Sequence, residues 1–347
     1  MRLGLSLGYQ TALTKPADHL ALTLEAERLR YSVVWAAEAY GSDAPSVLAW
    51  LAGQTTTIDL GSAVMQIPAR TPAATAMTAA TIDALSGGRF RLGLGVSGPQ
   101  VSEGWHGVRF SSPLARTREY VDIVRAALAR ERLTYAGAHY QLPLPDGPGK
   151  PLKLSFRPPR ADIPVYLAAI GPRNLRLAGE IADGVLMVFF APEHASDQLA
   201  ALAAGRAAAG RDLAGFDVVA AVPVVVGPDV AACADAVRPY AALYVGGMGS
   251  REKNFYHRHA VRMGYREAAD RVQELYLAGR HRDAAAAVPV DLIDQTSLLG
   301  PPQRIAKRLA AFADAGVTTL AVALFTSDPN EGAATLRTVA EAAGLRG

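Results

Sequence analysis

SGGRFRLGLGVSG, the stretch from Ser86 to Gly98, decides how the chain is read. Ser86-Gly87-Gly88 reads as the close of a helix, because glycine readily takes the left-handed conformation that ends one. Arg89 to Leu94 follows as a short apolar strand, and a glycine loop opens at Gly95. Gly93, Gly95 and Gly98 spell G-x-G-x-x-G directly after that strand, the pattern of a dinucleotide site. Such a site also needs a helix starting at the third glycine, its N-terminus turned towards the pyrophosphate. Here Pro99 comes next, then Gly104 and Gly107, and a helical pattern is expected only from about Leu114. The loop is therefore expected to serve another fold.

On either side, short apolar runs alternate with helical periodicity. Arg2–Gly8, Ser32–Ala36, Ile58–Met65 and Arg89–Leu94 read as the first four strands. Ile163–Ala169, Val185–Phe190, Asp217–Val226 and Thr318–Phe325 read as four more. Between them lie helices at Pro16–Arg30, Pro45–Gln54, Pro72–Leu85, Leu114–Arg130, Arg173–Ile181 and Glu193–Ala209. Others begin at Asp229, surround Tyr276 and Arg304, and end the chain. Continuous apolar strands alternating with helices indicate a parallel sheet covered on both faces. Eight such units in 347 residues suit an α/β fold, a (β/α)8 TIM barrel, with a doubly wound sheet as the alternative. One domain, 1–347, is expected, with surface insertions at about 131–160 and 246–300.

Half of the residues are hydrophobic and the net charge is +3, too little to indicate a nucleic-acid partner. Cys233 is the single cysteine, so no intrachain disulfide forms, which favours a reducing compartment. No run approaches the roughly 20 apolar residues of a membrane span, and the N-terminal apolar run is too short for a signal peptide. A cytoplasmic protein is expected.

In a barrel, the chemistry sits on the loops after the strands. Gly171-Pro172-Arg173-Asn174 follows a strand and opens a helix, so its free N–H groups could bind an anion, with Arg173 adding a contact. An ordinary turn with proline in the first helical position explains the same residues. Glu38, with Asp43 nearby, could meet a cofactor ring, act as an acid–base group, or cap a helix. Tyr9, Tyr40, Trp105 and His106 could line a pocket for a flat ring, or simply pack. His257 and His259 form H-x-H without a third ligand at useful spacing, so no metal site is expected. Arg251, Lys253, Arg258 and Arg262 crowd one insertion, either as a solvated face or as a seat for an acidic cofactor tail.

These residues resemble a known family. AEAYGSDA (Ala37–Ala44), LGSAV (Leu60–Val64), LSGGRFRLGLGVSGPQVSEGWHG (Leu85–Gly107), PLARTREY (Pro113–Tyr120), ADGVL (Ala182–Leu186), LYVGGMG (Leu243–Gly249), RMGY (Arg262–Tyr265) and AGVTTL (Ala315–Leu320) are similar to the luciferase-like monooxygenase superfamily. The resemblance is to its actinobacterial branch of coenzyme F420-dependent oxidoreductases and covers nearly the whole chain. It implies a (β/α)8 barrel, a homodimer and the deazaflavin coenzyme F420, with FMN as the runner-up cofactor. It implies a non-prolyl cis peptide at Ala63–Val64 beneath the ring, Glu38 near the ring, and Val96, Ser97 and Gly98 bordering it. Ala168, Ala169, Ile170, Gly171, Pro172 and Arg173 would hold the linker and phosphate.

Two departures narrow the chemistry. Dehydrogenases of the superfamily carry His beside the acidic residue and Glu in the glycine loop; Ala39 and Pro99 stand there. The resemblance then favours reduction of an activated C=C or C=N bond in a small molecule or peptide, with Glu38, Tyr40 and His106 as catalytic candidates. An FMN-dependent monooxygenase and a non-redox ligand-binding barrel are the alternatives.

Overall fold

Eight parallel strands close on themselves in the computed structural model, which describes residues 1–8 and 16–345. They are β1 (Arg2–Leu7), β2 (Val33–Ala36), β3 (Asp59–Ser62), β4 (Phe90–Gly95), β5 (Val165–Ala168), β6 (Gly184–Val188), β7 (Asp217–Val226) and β8 (Thr319–Leu324). Each pairs with the next, and β8 pairs with β1 with Leu3 opposite Leu320. Closure of these eight strands on themselves rules out the doubly wound alternative. All eight expected runs are barrel strands. Tyr9, in the loop after β1, lies outside the described residues.

Strand-to-helix connections follow local chemistry. Thr71 caps the helix Pro72–Leu85 by accepting from the Ala74 N–H at 3.2 Å, with Pro72 in the first turn. Gly87 and Gly88, at φ of +68° and +89°, turn the chain out of that helix and into β4. One expectation fails just beyond β4. A six-residue helix, Pro99–Gly104, starts directly after Gly98, where none was foreseen. Proline there supplies a helix-ready φ and gives up only an N–H that has no partner in the first turn.

The run expected from Ile58 to Met65 is interrupted. Asp59–Ser62 pairs with β2 and β4, the Ala63–Val64 bond is cis, and Met65–Gln66 rejoins β4 beside Leu94 and Gly95. At the break the Ser62 hydroxyl replaces the ladder, donating to the Gly93 carbonyl at 2.8 Å and accepting from its N–H at 2.9 Å. A Cβ on Gly93 would lie 1.8 Å from the Ser62 oxygen, so the fourth strand needs glycine there.

Aromatic residues plug the middle of the barrel. The Trp35 indole lies where Gly61 has no side chain, and the Tyr166 ring lies where Gly184 has none. The two rings meet edge to face at 5.2 Å. Arg91 adds a polar layer to the plug, donating to Asp59 at 2.6 Å, to Asp217 at 3.2 Å and to the Tyr166 hydroxyl at 3.2 Å.

The two excursions differ in weight. The first carries a small hairpin, Tyr135–Ala136 with Gln141–Leu142. The second, within the expected 246–300, is richer in helix than foreseen, holding Phe255–Arg262, Arg266–Leu277, His281–Ala286 and Val290–Gln295. An unforeseen strand, Leu298–Gly300, then pairs with the end of β7. These helices pack into an apolar cluster of their own around Val237, Val245 and Val272.

Candidate active site

A cavity of about 900 Å³ opens at the carboxyl ends of the barrel strands. Its depth comes from residue size. Above Trp35 the lining includes Ala63, Gly95, Ala168, Ala221, Ala321 and Ala323, small side chains that leave the bore open.

Three backbone segments meet along one wall. They are Ala63–Val64 after β3, Val96–Gly98 after β4, and Ala168–Gly171 after β5. Gly95 permits their approach, since a Cβ there would lie 2.5 Å from a Val64 methyl and 3.6 Å from the Ala168 methyl. Gly171 begins the helix Pro172–Ile181 without any side-chain cap, so the first-turn N–H groups of Arg173 and Asn174 are available to an anion. Pro172 and Arg173 themselves lie outside the cavity lining, with Arg173 exposed; Asn174, within the first turn, lines it instead. The Arg262 guanidinium comes to 3.4 Å from the Ile170 carbonyl. Burial first, then repulsion from Arg258, pushes its pKa below the ordinary guanidinium value. A bound anion would relieve that repulsion.

Glu38 lines the cavity, and its oxygens are occupied. Arg70 Nη1 donates to Oε1 at 2.6 Å and Nη2 to Oε2 at 2.9 Å. The Ala44 N–H donates at 3.2 Å and the Gln66 N–H at 3.3 Å. Burial works against the Arg70 charge, but Glu38 and Asp43 outweigh it and raise its pKa. The Gln66 amide also donates to the Ala39 carbonyl at 2.7 Å. Glu38 therefore anchors the loop after β2 to the segment after the cis bond, a structural role beside its place in the cavity lining. Arg70 went unrecognised in the sequence.

The remaining candidates separate. Tyr40 lines the cavity and is half exposed. His106 is outside the lining, and its Nε2 is buried without a hydrogen-bond partner among the described residues. Trp105 is also outside the lining and mostly exposed. The H-x-H pair points two ways. His257 meets Asp270 at 2.8 Å, while the buried His259 contacts the Phe189 carbonyl at 2.8 Å through Nε2. Among the described residues no group of three potential metal ligands forms.

Sequence reading missed an aromatic wall. Pro239 interrupts the hydrogen-bonding of helix Val230–Ala242, and the chain then widens into a π-turn, Leu243–Gly247. Tyr240 and Tyr244 project from this region, Tyr256 from the next helix, and Phe325 from the end of β8. Asn254 joins the pieces, donating to the Tyr244 and Val245 carbonyls while accepting from the Tyr256 and His257 N–H groups. Gly246 and Gly247 leave room for Tyr276, whose side chain lies 2.5 and 2.4 Å from where their Cβ atoms would be. Nothing local in the sequence marks this wall; LYVGGMG was the nearest signal.

Comparison with known proteins agrees with this architecture. A family model described as luciferase-like monooxygenase matches residues 1–319. A Mycobacterium tuberculosis protein assigned to the coenzyme F420-dependent oxidoreductases, Rv3520c, is 47% identical over 93% of this chain and 94% of its own. The 5,10-methylenetetrahydromethanopterin reductase of Archaeoglobus fulgidus is 31% identical over 84% of this chain and 85% of its own. The solved coenzyme F420-dependent tetrahydromethanopterin reductase of Methanopyrus kandleri superposes with a TM-score of 0.84 at 25% identity, covering 99% of each chain. The chain thus belongs to the luciferase-like monooxygenase family, on its branch of coenzyme F420-dependent oxidoreductases.

Proposed function

We propose that this oxidoreductase binds coenzyme F420 in the cavity and reduces an activated C=C or C=N bond of a small molecule or peptide. The observation that carries the reading is the backbone-lined wall at the ends of β3, β4 and β5, with an uncapped helix N-terminus at its outer end. Ala63, Val64, Val96, Ser97, Gly98, Ala168 and Ala169 would border the ring system. Ile170 and Gly171, the first-turn N–H groups and Arg262 would hold the phosphate and its linker. When bound in its reduced form, the coenzyme supplies a hydride.

The protein's own work is positioning. Glu38, Arg70 and Gln66 fix the loop that carries Ala39 and Tyr40, so Tyr40 is held at the cavity as the candidate proton source. With Ala39 beside Glu38, no imidazole stands there to take a proton from an alcohol, which supports reduction over oxidation. The apolar lining limits water around the reacting atoms.

Equilibrium titration with coenzyme F420 and, separately, with FMN tests the reading. Micromolar binding of the deazaflavin with weak FMN binding is the expected outcome. Tight FMN with oxygen consumption would move the protein to the monooxygenases, and binding of neither would indicate a non-redox barrel.

A further inference from the structure

The aromatic wall and the charge content of the cavity together select a class of substrate. Tyr240 and Tyr244 have ring centroids 4.6 Å apart, Tyr244 and Tyr256 4.7 Å, and Tyr240 and Phe325 5.3 Å. These are contact distances, so the rings form one continuous apolar surface. Neighbouring rings meet at 47°, 82° and 77° and touch, so no cation fits between any two of them. Phe189 stacks behind Tyr240 at 5.3 Å and 16°, which stiffens the surface.

The rest of the lining offers little to a charged molecule. Among the described lining residues there is no Lys or Arg, the one carboxylate, Glu38, is neutralised by Arg70, and the one imidazole, His281, stacks on Tyr276 with centroids 4.4 Å apart. Arg262, beside Ile170, is outside the lining. An ion seated against the aromatic wall would lose hydration without gaining an ion-pair partner from it. A flat neutral molecule loses little and gains apolar contact with the wall.

We infer that the substrate is an uncharged molecule whose reducible bond is conjugated to a planar apolar group, such as an aryl enone, and that Tyr240, Tyr244, Tyr256 and Phe325 seat that group. This rests on the coenzyme reading above, because the acceptor must share the cavity with a hydride source. The C=C bond becomes CH–CH: two electrons and one hydrogen arrive as hydride from the reduced coenzyme, and the second hydrogen arrives as a proton. The same features argue against sugar phosphates, carboxylates and charged pterins.

The test uses protein loaded with oxidised coenzyme F420, so that nothing turns over, and compares three probes built on one ring system: acetylnaphthalene, naphthoate and naphthyltrimethylammonium. Calorimetric titration is expected to show the neutral ketone bound about tenfold more tightly than either ion. Tyr244→Leu and Phe325→Leu are each expected to weaken the ketone about fivefold with coenzyme affinity preserved, whereas Tyr244→Phe, which keeps the ring, leaves it unchanged. Binding of either ion as tight as that of the ketone overturns the inference. So does a ketone affinity indifferent to both leucine substitutions, or one lost in Tyr244→Phe. In those cases normal coenzyme binding leaves the coenzyme reading standing; failure of the unsubstituted protein to bind coenzyme F420 overturns both.

Discussion

With four donors on two oxygens, the Glu38 carboxylate fills the roughly four acceptor positions such a group offers. Its position was legible because it directly follows an apolar strand, but its role was not. Arg70 lies 32 residues along the chain, behind a strand break and a 3-10 turn, and no local pattern pairs the two. His259 is a similar case. Its place in H-x-H gave no sign of its role, which is to join the insert to the barrel through the Phe189 carbonyl, 70 residues away. Burial lowers its pKa from 6.5 to about 4. Between those values the unfolded chain takes up a proton that the folded chain refuses, so stability falls as pH drops across the window. The loss is on the order of 3 kcal/mol when the window has been crossed, and none arises from this residue above it. Urea unfolding at neutral pH and near pH 4 is expected to show a smaller loss in His259→Asn than in the natural protein. Equal losses would mean that His259 does not set this dependence.

At the scale of elements, every barrel strand could be seen in advance because strands buried on both faces are short continuous apolar runs. Three-residue and two-residue strands could not, since Leu298–Gly300 and Met65–Gln66 are too short to show a period. Four insert helices were compressed into a loop and one helix, because glycines and charged residues break up their patterns. The turn Gly171-Pro172-Arg173-Asn174 was read as an anion site, and its element allows a clean separation of effects. A Cβ on Gly171 would meet nothing within 4 Å, and its φ of −92° suits any residue. Gly171→Asp should therefore leave the fold intact, and an aspartate cap in place of glycine adds a few tenths of a kcal/mol to the helix. The same carboxylate would occupy the N–H groups proposed for phosphate and repel it, weakening coenzyme F420 about tenfold or more. Unchanged affinity in a fully folded Gly171→Asp variant would remove phosphate from this helix.

Over the whole molecule, the barrel was legible as a count of eight units, while its cavity was not. The aromatic wall draws on residues from Phe189 to Phe325, and the pairing of β6 and β8 on either side of β7 brings both to the insert's tyrosines. Small residues in the bore were visible as letters, but their facing was set by register. The plug beneath them has a spectroscopic consequence. The chain has three tryptophans; Trp50 and Trp105 are 38% and 66% exposed, whereas Trp35 is 1% exposed at the cavity floor. A Trp50→Phe/Trp105→Phe double variant would thus keep one emitter, placed below any molecule that fills the barrel. Its emission should be blue-shifted, as from a dry apolar setting, and bound coenzyme F420 should quench it. Emission typical of an indole in water, or indifferent to coenzyme, would contradict the position of the plug. The indole that closes the bore is in this way also a built-in optical gauge of what stands above it.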